Sequence, residues 1–169
     1  PSKKRQLKNL AKFILGVKNV AGTSIPTCWK NIKYNLFTKK VHTNILHAQY
    51  ILITKHTVLD FAKNANIFVG GVVTLGTKRV KGSKLETRIL VEDGASLDFK
   101  GNATIMYGAD IEAFKNSKII FGKSFISNID FTCISAEKIE FGDNVSFGRD
   151  CVVRDNNGGH LISINGYRN

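Results

Sequence analysis

A six-residue apolar rhythm in residues 141–160, FGDNVSFGRDCVVRDNNGGH, constrains the fold more than any other feature of the chain. Phe141, Phe147 and Val153 are spaced six residues apart, and a glycine directly follows each of the first two. An α-helix repeats about every 3.6 residues and a strand every second residue, so neither gives this period alone. A hexapeptide period is typical of a parallel β-helix, in which each short strand turns a corner and stacks on the strand one coil below.

The same rhythm extends back to Ile53 as triplets of inward-facing residues, each followed by polar spacers. Three such hexads predict a triangular coil of about eighteen residues, with two-residue slips such as Leu59 to Phe61 and Leu97 to Phe99 at corners that take a longer turn. An offset of twenty residues from Phe121 to Phe141 indicates one such slipped coil. Residues 76–88 interrupt the pattern with Gly, Lys and Arg, which indicates an exposed loop at one corner. A sandwich of short strands is the weaker alternative, because hairpin dipeptides are few and the spacing is too short for up-and-down strands. The triplets are Ile53/Thr57/Leu59, Phe61/Ala65/Ile67, Ile67/Gly71/Val73, Val91/Ala95/Leu97, Phe99/Ala103/Ile105, Ile105/Ala109/Ile111, Phe121/Phe125/Ser127 and Phe141/Val145/Phe147.

The cysteines and histidines give no metal-binding or disulfide pattern. Cys28, Cys133 and Cys151 form no Cys-x-x-Cys motif, so we expect reduced thiols, with the last two as small apolar fillers of the repeat interior. His42 and His47 lie five residues apart without an acidic or cysteine partner nearby, which favours surface or lining histidines over a metal site.

The positive charge of the chain lies almost wholly in its first third. The formal net charge is +12, and residues 1–59 contain eleven Lys or Arg and no Asp or Glu. Residues 60–169 are nearly balanced, with fourteen basic and thirteen acidic residues. This asymmetry indicates an anionic partner for the N-terminal segment. A nucleic-acid arm is the least favoured choice, because few aromatic residues interleave with the lysines and no nucleic-acid motif is present.

The N-terminal segment, residues 1–52, is predicted to be a unit distinct from the repeats of residues 53–169. Residues 3–17 place Leu7, Leu10 and Ile14 at helical spacing among lysines, which predicts a short basic amphipathic helix. Residues 18–50 are predicted to be extended, as a strand or hairpin. The helix either covers the open end of the coil stack or docks on an anionic membrane surface, and both can hold together.

The repeats resemble the left-handed β-helix of the hexapeptide-repeat acyltransferases. Two runs, VEDGASLDFKGNATIMYGADIEAF and FGDNVSFGRDCVVRDNNGGH, resemble the bacterial polysaccharide O-acetyltransferases of that family. The resemblance covers roughly residues 53–169 and, more loosely, the basic N-terminal segment. It implies an all-β fold, a left-handed parallel β-helix with a short N-terminal basic helix and extended stretch.

The resemblance also implies a catalytic loop. In this family a loop of the type Arg-Asp-x-Asp-Gly-His carries the catalytic histidine, and the matching stretch here runs from Arg154 to His160. His160 would be the general base that takes a proton from a sugar hydroxyl, and Asp155 would orient the ring or hold the acceptor sugar. Here an asparagine, Asn157, replaces the second acid of the family loop, and one extra glycine precedes His160. The resemblance assigns substrate binding to Arg154, Asn157, Gly158 and Gly159, the two glycines through backbone N–H groups near the developing oxyanion.

The function implied is an O-acetyltransferase that takes the acetyl group from acetyl-CoA, acts on a bacterial surface polysaccharide or its precursor, and assembles as a homotrimer. Family members continue through segments resembling ISINGYRN into further coils, so the C-terminal coils are expected to be absent here, by truncation, natural fragmentation or degeneration. A non-catalytic β-helix that binds or scaffolds is the alternative. We expect a cytoplasmic protein, with contact to the inner face of the membrane left open, because no signal peptide or apolar run of membrane-spanning length is visible.

Overall fold

The structure of the protein is a computed structural model that describes residues 1–80 and 82–156, and residues 161–163 and 166–168 as backbone strands. The described chain begins with helices α1 (Lys3–Ala21) and α2 (Ile25–Ile32), followed by a π-helical turn at Lys33–Phe37 and a 3-10 helix at Ile45–His47. Short strands make up most of the remainder. They are β1 (Val41–His42), β2 (Tyr50–Ile53), β3 (Thr57–Phe61), β4 (Asn66–Val69), β5 (Val72–Thr77), β6 (Thr87–Val91), β7 (Ser96–Phe99), β8 (Ala103–Met106), β9 (Asp110–Ala113), β10 (Lys118–Phe121), β11 (Phe125–Ser127), β12 (Thr132–Ser135), β13 (Lys138–Phe141), β14 (Ser146–Phe147), β15 (Val152–Arg154), β16 (Leu161–Ser163) and β17 (Gly166–Arg168).

Strands β1 to β15 form three parallel sheets of five strands each. The first sheet has the order β1-β4-β7-β10-β13, the second β2-β5-β8-β11-β14, and the third β3-β6-β9-β12-β15. The chain therefore visits the three sheets in turn and returns to each one coil later, which is consistent with a parallel β-helix. The prediction of a mostly β chain built from parallel strands is confirmed. Strands β16 and β17 pair with each other in antiparallel register.

The interior of the stack is filled by the predicted triplets. Every triplet residue from Ala65 to Ser127 is buried, and Phe121 and Phe125 are 0% exposed. Cys133 is also 0% exposed, and Cys151 packs against the same core from a partly buried position, so both cysteines are the apolar fillers that the sequence predicted. The hexapeptide pattern therefore identifies the inward positions because it follows the alternation of each short strand.

A strict coil length of eighteen residues is wrong, whereas the offset of twenty residues from Phe121 to Phe141 is confirmed by the pairing of these two residues. Leu97 pairs with Ile119, 22 residues later, and Ile119 pairs with Ile139, 20 residues later. The two-residue slips seen in the sequence thus occur in each of these coils. The reason is that corners with a left-handed residue, such as Asn116 at φ 61°, hold more residues than a strict hexad allows.

One corner illustrates why these turns need particular residue types. Gly108 has φ 79° and lies directly below Asp130, which has φ 57° one coil later. A Cβ atom at Gly108 would collide with the Asp130 side chain. Glycine is therefore required where this corner of the stack is tightest.

Phenylalanines fill the later coils of the first sheet. Phe99, Phe121 and Phe141 occupy the same register position, with ring centroids 4.7 and 5.5 Å apart. Phe125 packs against this column, 4.8 Å from the ring of Phe121 and 5.2 Å from the ring of Phe141. Like side chains stack on like, as a narrow repeating interior requires.

Helix α1 is confirmed, but it packs with a different face from the one the spacing suggested. Phe13 and Val17 pack against Tyr50 and Leu52 on the outside of β2, and the rings of Phe13 and Tyr50 lie 5.2 Å apart. Gly16 allows this approach, because a Cβ there would come within 2.9 Å of Leu52. The residues that first indicated the helix, among them Leu7 and Ile14, are exposed.

The extended segment predicted for residues 18–50 is wrong for residues 25–37, which are helical. Pro26 lies in the first turn of α2, where a proline is favourable because its missing N–H has no intrahelical partner there. Thr27, Asn31 and Asn35 follow at intervals of four, and all three are buried. Their polar stripe faces the edge of β2, and that tertiary contact outweighs the strand propensity of the aromatic residues between them.

Asn31 and Asn35 complete the hydrogen bonds of the edge strand β2. The amide of Asn31 donates to the carbonyl of Ile53 and accepts from its N–H, both at 2.8 Å. The amide of Asn35 does the same for Ile51, at 2.8 and 2.9 Å. Each side-chain amide therefore replaces a peptide group of a neighbouring strand, and the first coil of the second sheet has no open edge here.

The predicted loop at 76–88 is present in a shorter form between β5 and β6. Lys78, Arg79 and Val80 are exposed, as are most of the described residues up to Glu86. Because of this insertion Ile67 pairs with Leu97, 30 residues later. The loop therefore projects from the stack, and directly before it the register of β5 against β8 shifts between Leu75 and Thr77.

Candidate functional site

Strand β15 sets the position of Arg154, the first of the predicted site residues. It pairs in parallel with β12, which aligns Val153 with Cys133 and Arg154 with Ile134. Val153 packs against the core, so strand alternation turns the Arg154 side chain to the outer face of the third sheet, where it is exposed. Arg154 is thus available to an anionic or hydroxylated molecule on that face.

Asp155 follows β15 directly, and its carboxylate binds the corner of the preceding coil. The Ser135 hydroxyl and the Ala136 N–H each donate to it at 2.7 Å, and the Glu137 N–H donates at 2.9 Å. The amide of Asn156 adds a fourth hydrogen bond at 3.3 Å. Asp155 therefore fixes the point at which the chain leaves the third sheet and enters the predicted loop.

These contacts keep Asp155 ionised. Desolvation raises the pKa of the carboxyl group, but the hydrogen bonds from Ala136, Ser135 and Glu137 outweigh it and lower the pKa to about 2. A carboxylate with so low a pKa is a poor general base near neutral pH. Its geometry suits a group that holds backbone in place.

The other predicted site residues are Asn157, Gly158, Gly159 and His160, and they lie outside the described residues. The structure therefore brings Arg154 and Asp155 together at the end of the third sheet, directly before this stretch. Their assigned roles remain predictions.

Asp155 belongs to a set of side chains at the corners that accept hydrogen bonds from backbone N–H groups of the preceding coil. The sequence analysis did not identify this role. Asn102 accepts from the Val72 N–H at 2.8 Å, and Asp143 accepts from the Lys123 N–H at 2.7 Å. In each case a side chain of one coil binds the backbone of the coil before it. The signal in the sequence is an Asp or Asn one to three residues after an inward-facing apolar residue, as in Phe141-Gly-Asp143.

The outer face of the third sheet is rich in charge. Arg88 on β6 forms an ion pair with Asp110 on β9, and Glu112 lies two residues further along β9. The hydrogen bond to Asp110 raises the pKa of Arg88. Asp60, Arg88, Asp110 and Glu112 help to line a shallow cleft of about 220 Å³. The register places Glu112 and Arg154 in one row across the sheet, so this face offers hydrogen-bonding groups of the kind that bind sugar hydroxyls.

A second polar region, also missed from the sequence, surrounds the corner at His56. Desolvation and the nearby charges of Lys78, Lys55 and Lys84 lower the pKa of His56. Lys55 and Lys78 also line a cleft of about 340 Å³ between the end of α1 and the second sheet. The corner is therefore electropositive, and the Lys-His pair directly before β3 was its sequence signal.

Among the described residues, the other thiol and imidazole groups show no metal-site geometry. His42 is exposed and stacks on Phe68 with ring centroids 4.6 Å apart, and His47 is exposed. Burial in the core, with a smaller contribution from Asp155, raises the pKa of the Cys133 thiol to about 12, which makes it unreactive. No group of three His, Cys, Asp or Glu side chains suited to a metal ion occurs among the described residues.

Comparison with protein-family models, with curated proteins and with solved structures finds no match to this chain. Within the part of the chain that the structure describes, no helix combines the length and the hydropathy of a bilayer-spanning segment.

Proposed function

We propose that the chain is an acetyl-CoA-dependent O-acetyltransferase that acts on a sugar hydroxyl of a bacterial surface polysaccharide or its precursor. The observation that carries this proposal is the stack of three parallel sheets in the segment whose repeats resemble the hexapeptide-repeat acyltransferases. The finer form of the fold, a left-handed β-helix, is part of the same proposal. The predicted histidine loop follows β15, the last strand of the third sheet.

The chemistry needs one proton acceptor and one site for developing negative charge. In the proposed reaction His160 takes the proton of the sugar hydroxyl, and the oxygen attacks the thioester carbonyl of acetyl-CoA. The C–S bond then breaks, and the imidazolium returns the proton to the departing thiolate, so no covalent enzyme intermediate forms. Backbone N–H groups of Gly158 and Gly159 stabilise the oxyanion.

The described residues support this scheme as positioning groups. Asp155 holds the start of the loop through its bonds to the corner at Ser135–Glu137, which favours positioning over contact with the imidazole. Arg154 and Asn157 would bind substrate, Arg154 from the outer face of the third sheet. In the proposed homotrimer each active site would lie between two neighbouring subunits, as the resemblance implies, so a second chain would complete the site of His160.

The direct test is acetyl transfer from acetyl-CoA to oligosaccharide acceptors, measured as thiol release and as acetylated product. We expect His160→Ala to lower kcat by about a hundredfold or more. His47→Ala, which removes an exposed histidine outside the predicted loop, should leave kcat unchanged. A His160→Ala chain with full activity would overturn the assignment of the base.

A non-catalytic β-helix that binds or scaffolds is the second candidate. One observation favours it: the carboxylate of Asp155 is occupied by hydrogen bonds to its own fold, as a structural residue would be. Equilibrium binding of acetyl-CoA separates the two candidates. An absence of binding at millimolar acetyl-CoA, together with an absence of acetyl transfer, would favour the scaffold.

A further inference from the structure

The N-terminal helices leave an unusual amount of apolar surface uncovered. Nine of the fifteen exposed large apolar side chains among the described residues lie between Leu7 and Leu46. The described residues after Leu46 form a segment more than twice as long as residues 1–46, yet they carry only six exposed large apolar side chains. Exposed apolar residues that cluster in this way indicate a contact surface, whereas single ones are ordinary.

Helix α1 has two apolar stripes, and only one is packed. Phe13, Val17 and Ala21 form the buried stripe against β2. Leu7, Leu10 and Ile14 are 68, 38 and 58% exposed. At about 100° per residue these three lie within about 60° of one another on the helix surface, beside the buried stripe. The second stripe therefore borders the buried stripe, about 60° around the helix from it, and is open to solvent.

The lysines of α1 border this exposed stripe. Lys3 lies close to Leu7 and Leu10 around the helix, and Lys4 and Lys18 follow on the far side of Leu7. All three lysines are exposed. Lysine stems cover apolar surface and hold their ammonium groups at its margin, which is the arrangement of an interfacial helix.

The outer side of α2 and the π-helical turn carries a second patch of the same kind. Ile25, Trp29 and Phe37 are 81, 58 and 68% exposed, and the rings of Trp29 and Phe37 lie 6.1 Å apart. Around the helix, Trp29 lies about 160° and Ile25 about 120° from the buried Asn31, so both are turned toward solvent. Lys33 and Lys39 are exposed next to them in the sequence. An aromatic pair among lysines suits the headgroup level of a bilayer.

Charge decides which partner fits this surface. With eleven basic and no acidic residues in residues 1–59, a second copy joined through the same surface would meet its own positive charge. Residues 60–169 are nearly balanced and supply no strongly acidic counterpart. Nucleic acid would match the charge but would leave the leucine and isoleucine side chains without an apolar partner. An anionic lipid surface satisfies both the lysines and the apolar side chains.

We propose that α1, α2 and the π-helical turn form a peripheral docking surface for an anionic lipid membrane, with Leu7, Leu10, Ile14, Ile25, Trp29 and Phe37 inserted between headgroups. The lysines pair with lipid phosphates at the margin of the patch. This proposal does not depend on acetyltransferase activity, because it rests only on the N-terminal helices.

The test is sedimentation of the full chain with vesicles of phosphatidylcholine alone and with vesicles in which about a third of the lipid is phosphatidylglycerol. We expect binding to the anionic vesicles, weak binding to the neutral ones, and a loss of binding as salt is raised. Trp29 is the only tryptophan, so its fluorescence should shift to the blue and resist an aqueous quencher when anionic vesicles are added.

The matched variants are both double substitutions of exposed apolar residues. Leu7→Gln with Ile14→Gln should weaken binding to anionic vesicles at least fivefold. Val58→Gln with Ile126→Gln, on the outer faces of the sheets, should leave binding unchanged. Circular dichroism of both chains checks that the fold is kept.

Three outcomes would overturn the proposal. The first is equal binding to neutral and anionic vesicles, or an unshifted Trp29 spectrum. The second is tighter retention on DNA than on anionic vesicles at the same salt, with no effect of Leu7→Gln and Ile14→Gln. The third is a concentration-dependent oligomer that this double variant abolishes, in a chain that does not bind vesicles.

Discussion

Asp155 shows how a residue in a predicted catalytic stretch also holds the fold together. Its carboxylate accepts hydrogen bonds from the Ser135 hydroxyl and from the backbone of Ala136 and Glu137. These bonds join the end of the third sheet to the corner one coil earlier. Any loss of activity on changing Asp155 would therefore contain a structural component.

Asp155→Asn should destabilise the protein by about 1 kcal/mol at neutral pH, a value reduced for the partial exposure of the site. The lowered pKa of about 2 means that the native state favours the ionised form. The contribution of Asp155 is therefore present above about pH 4 and is lost as the pH falls toward 2. Urea unfolding midpoints of wild type and variant should converge over that range.

The control for this prediction is Asp150→Asn. Asp150 is an exposed aspartate at the corner before β15, and asparagine tolerates its left-handed backbone, φ 55°. The same loss of charge at this position should change stability little at any pH. A difference between wild type and Asp155→Asn that stays constant from pH 7 to pH 2 would contradict the linkage to the Asp155 carboxyl.

Helix α2 and the π-helical turn, residues 25–37, cover the edge of β2, and this cap depends on two asparagines. Asn31 is 0% exposed, and its amide binds both the N–H and the carbonyl of Ile53. Asn31→Ala would leave both groups buried without these partners, so we expect a loss of about 2–4 kcal/mol in the free energy of unfolding. Urea denaturation monitored by circular dichroism measures it.

Asn19→Ala provides the comparison for the cap, since Asn19 is an exposed asparagine near the end of α1. It should cost well under 1 kcal/mol, as substitutions at exposed positions usually do. Equal losses for Asn19→Ala and Asn31→Ala would show that the side-chain amide does not complete the edge of β2.

The elements differ in how far the sequence could predict them. The inward positions of the repeats, such as Val73 and Ile111, were readable because strand alternation and burial act on each coil in the same way. The coil length was predicted only in part: the offset of twenty residues from Phe121 to Phe141 was visible in the sequence, but the coil of 22 residues was not. The turn at Asn116 adds residues without changing the apolar spacing inside each strand. The helix at 25–37 was missed because its stability comes from Asn31 and Asn35 meeting β2, a contact far along the chain.

In the candidate site, too, the sequence predicted the positions of residues better than their contacts. Val153 was one of the apolar positions of the six-residue pattern, and the exposure of its neighbour Arg154 follows from strand alternation. The binding of Asp155 to the corner at Ser135 could not be predicted, because it depends on which residues the 20-residue coil brings together. Local pattern therefore located the residues, while the register between coils determined their contacts.

At the scale of the whole molecule, each coil of the stack contacts mainly the coils before and after it. The stability of such a stack is approximately a sum of the stability of each coil and the interaction energies between neighbouring coils. The asparagines of the cap stabilise the first coil. The later coils are stabilised by the phenylalanine rings that pack around Phe125. A cavity in one region should therefore loosen that region first.

Phe125→Ala tests this expectation. Phe125 is 0% exposed and lies within 5.9 Å, between ring centroids, of Phe121, Phe131, Phe141 and Phe147, so its removal should cost about 3–5 kcal/mol. Hydrogen exchange should rise most in β11 to β15 and least in β2 to β6. Ile51→Ala, in the first coil, should give the reverse pattern, because Ile51 packs next to the cap. Exchange that rises uniformly over all strands in both variants would show instead that the coils unfold as one cooperative unit.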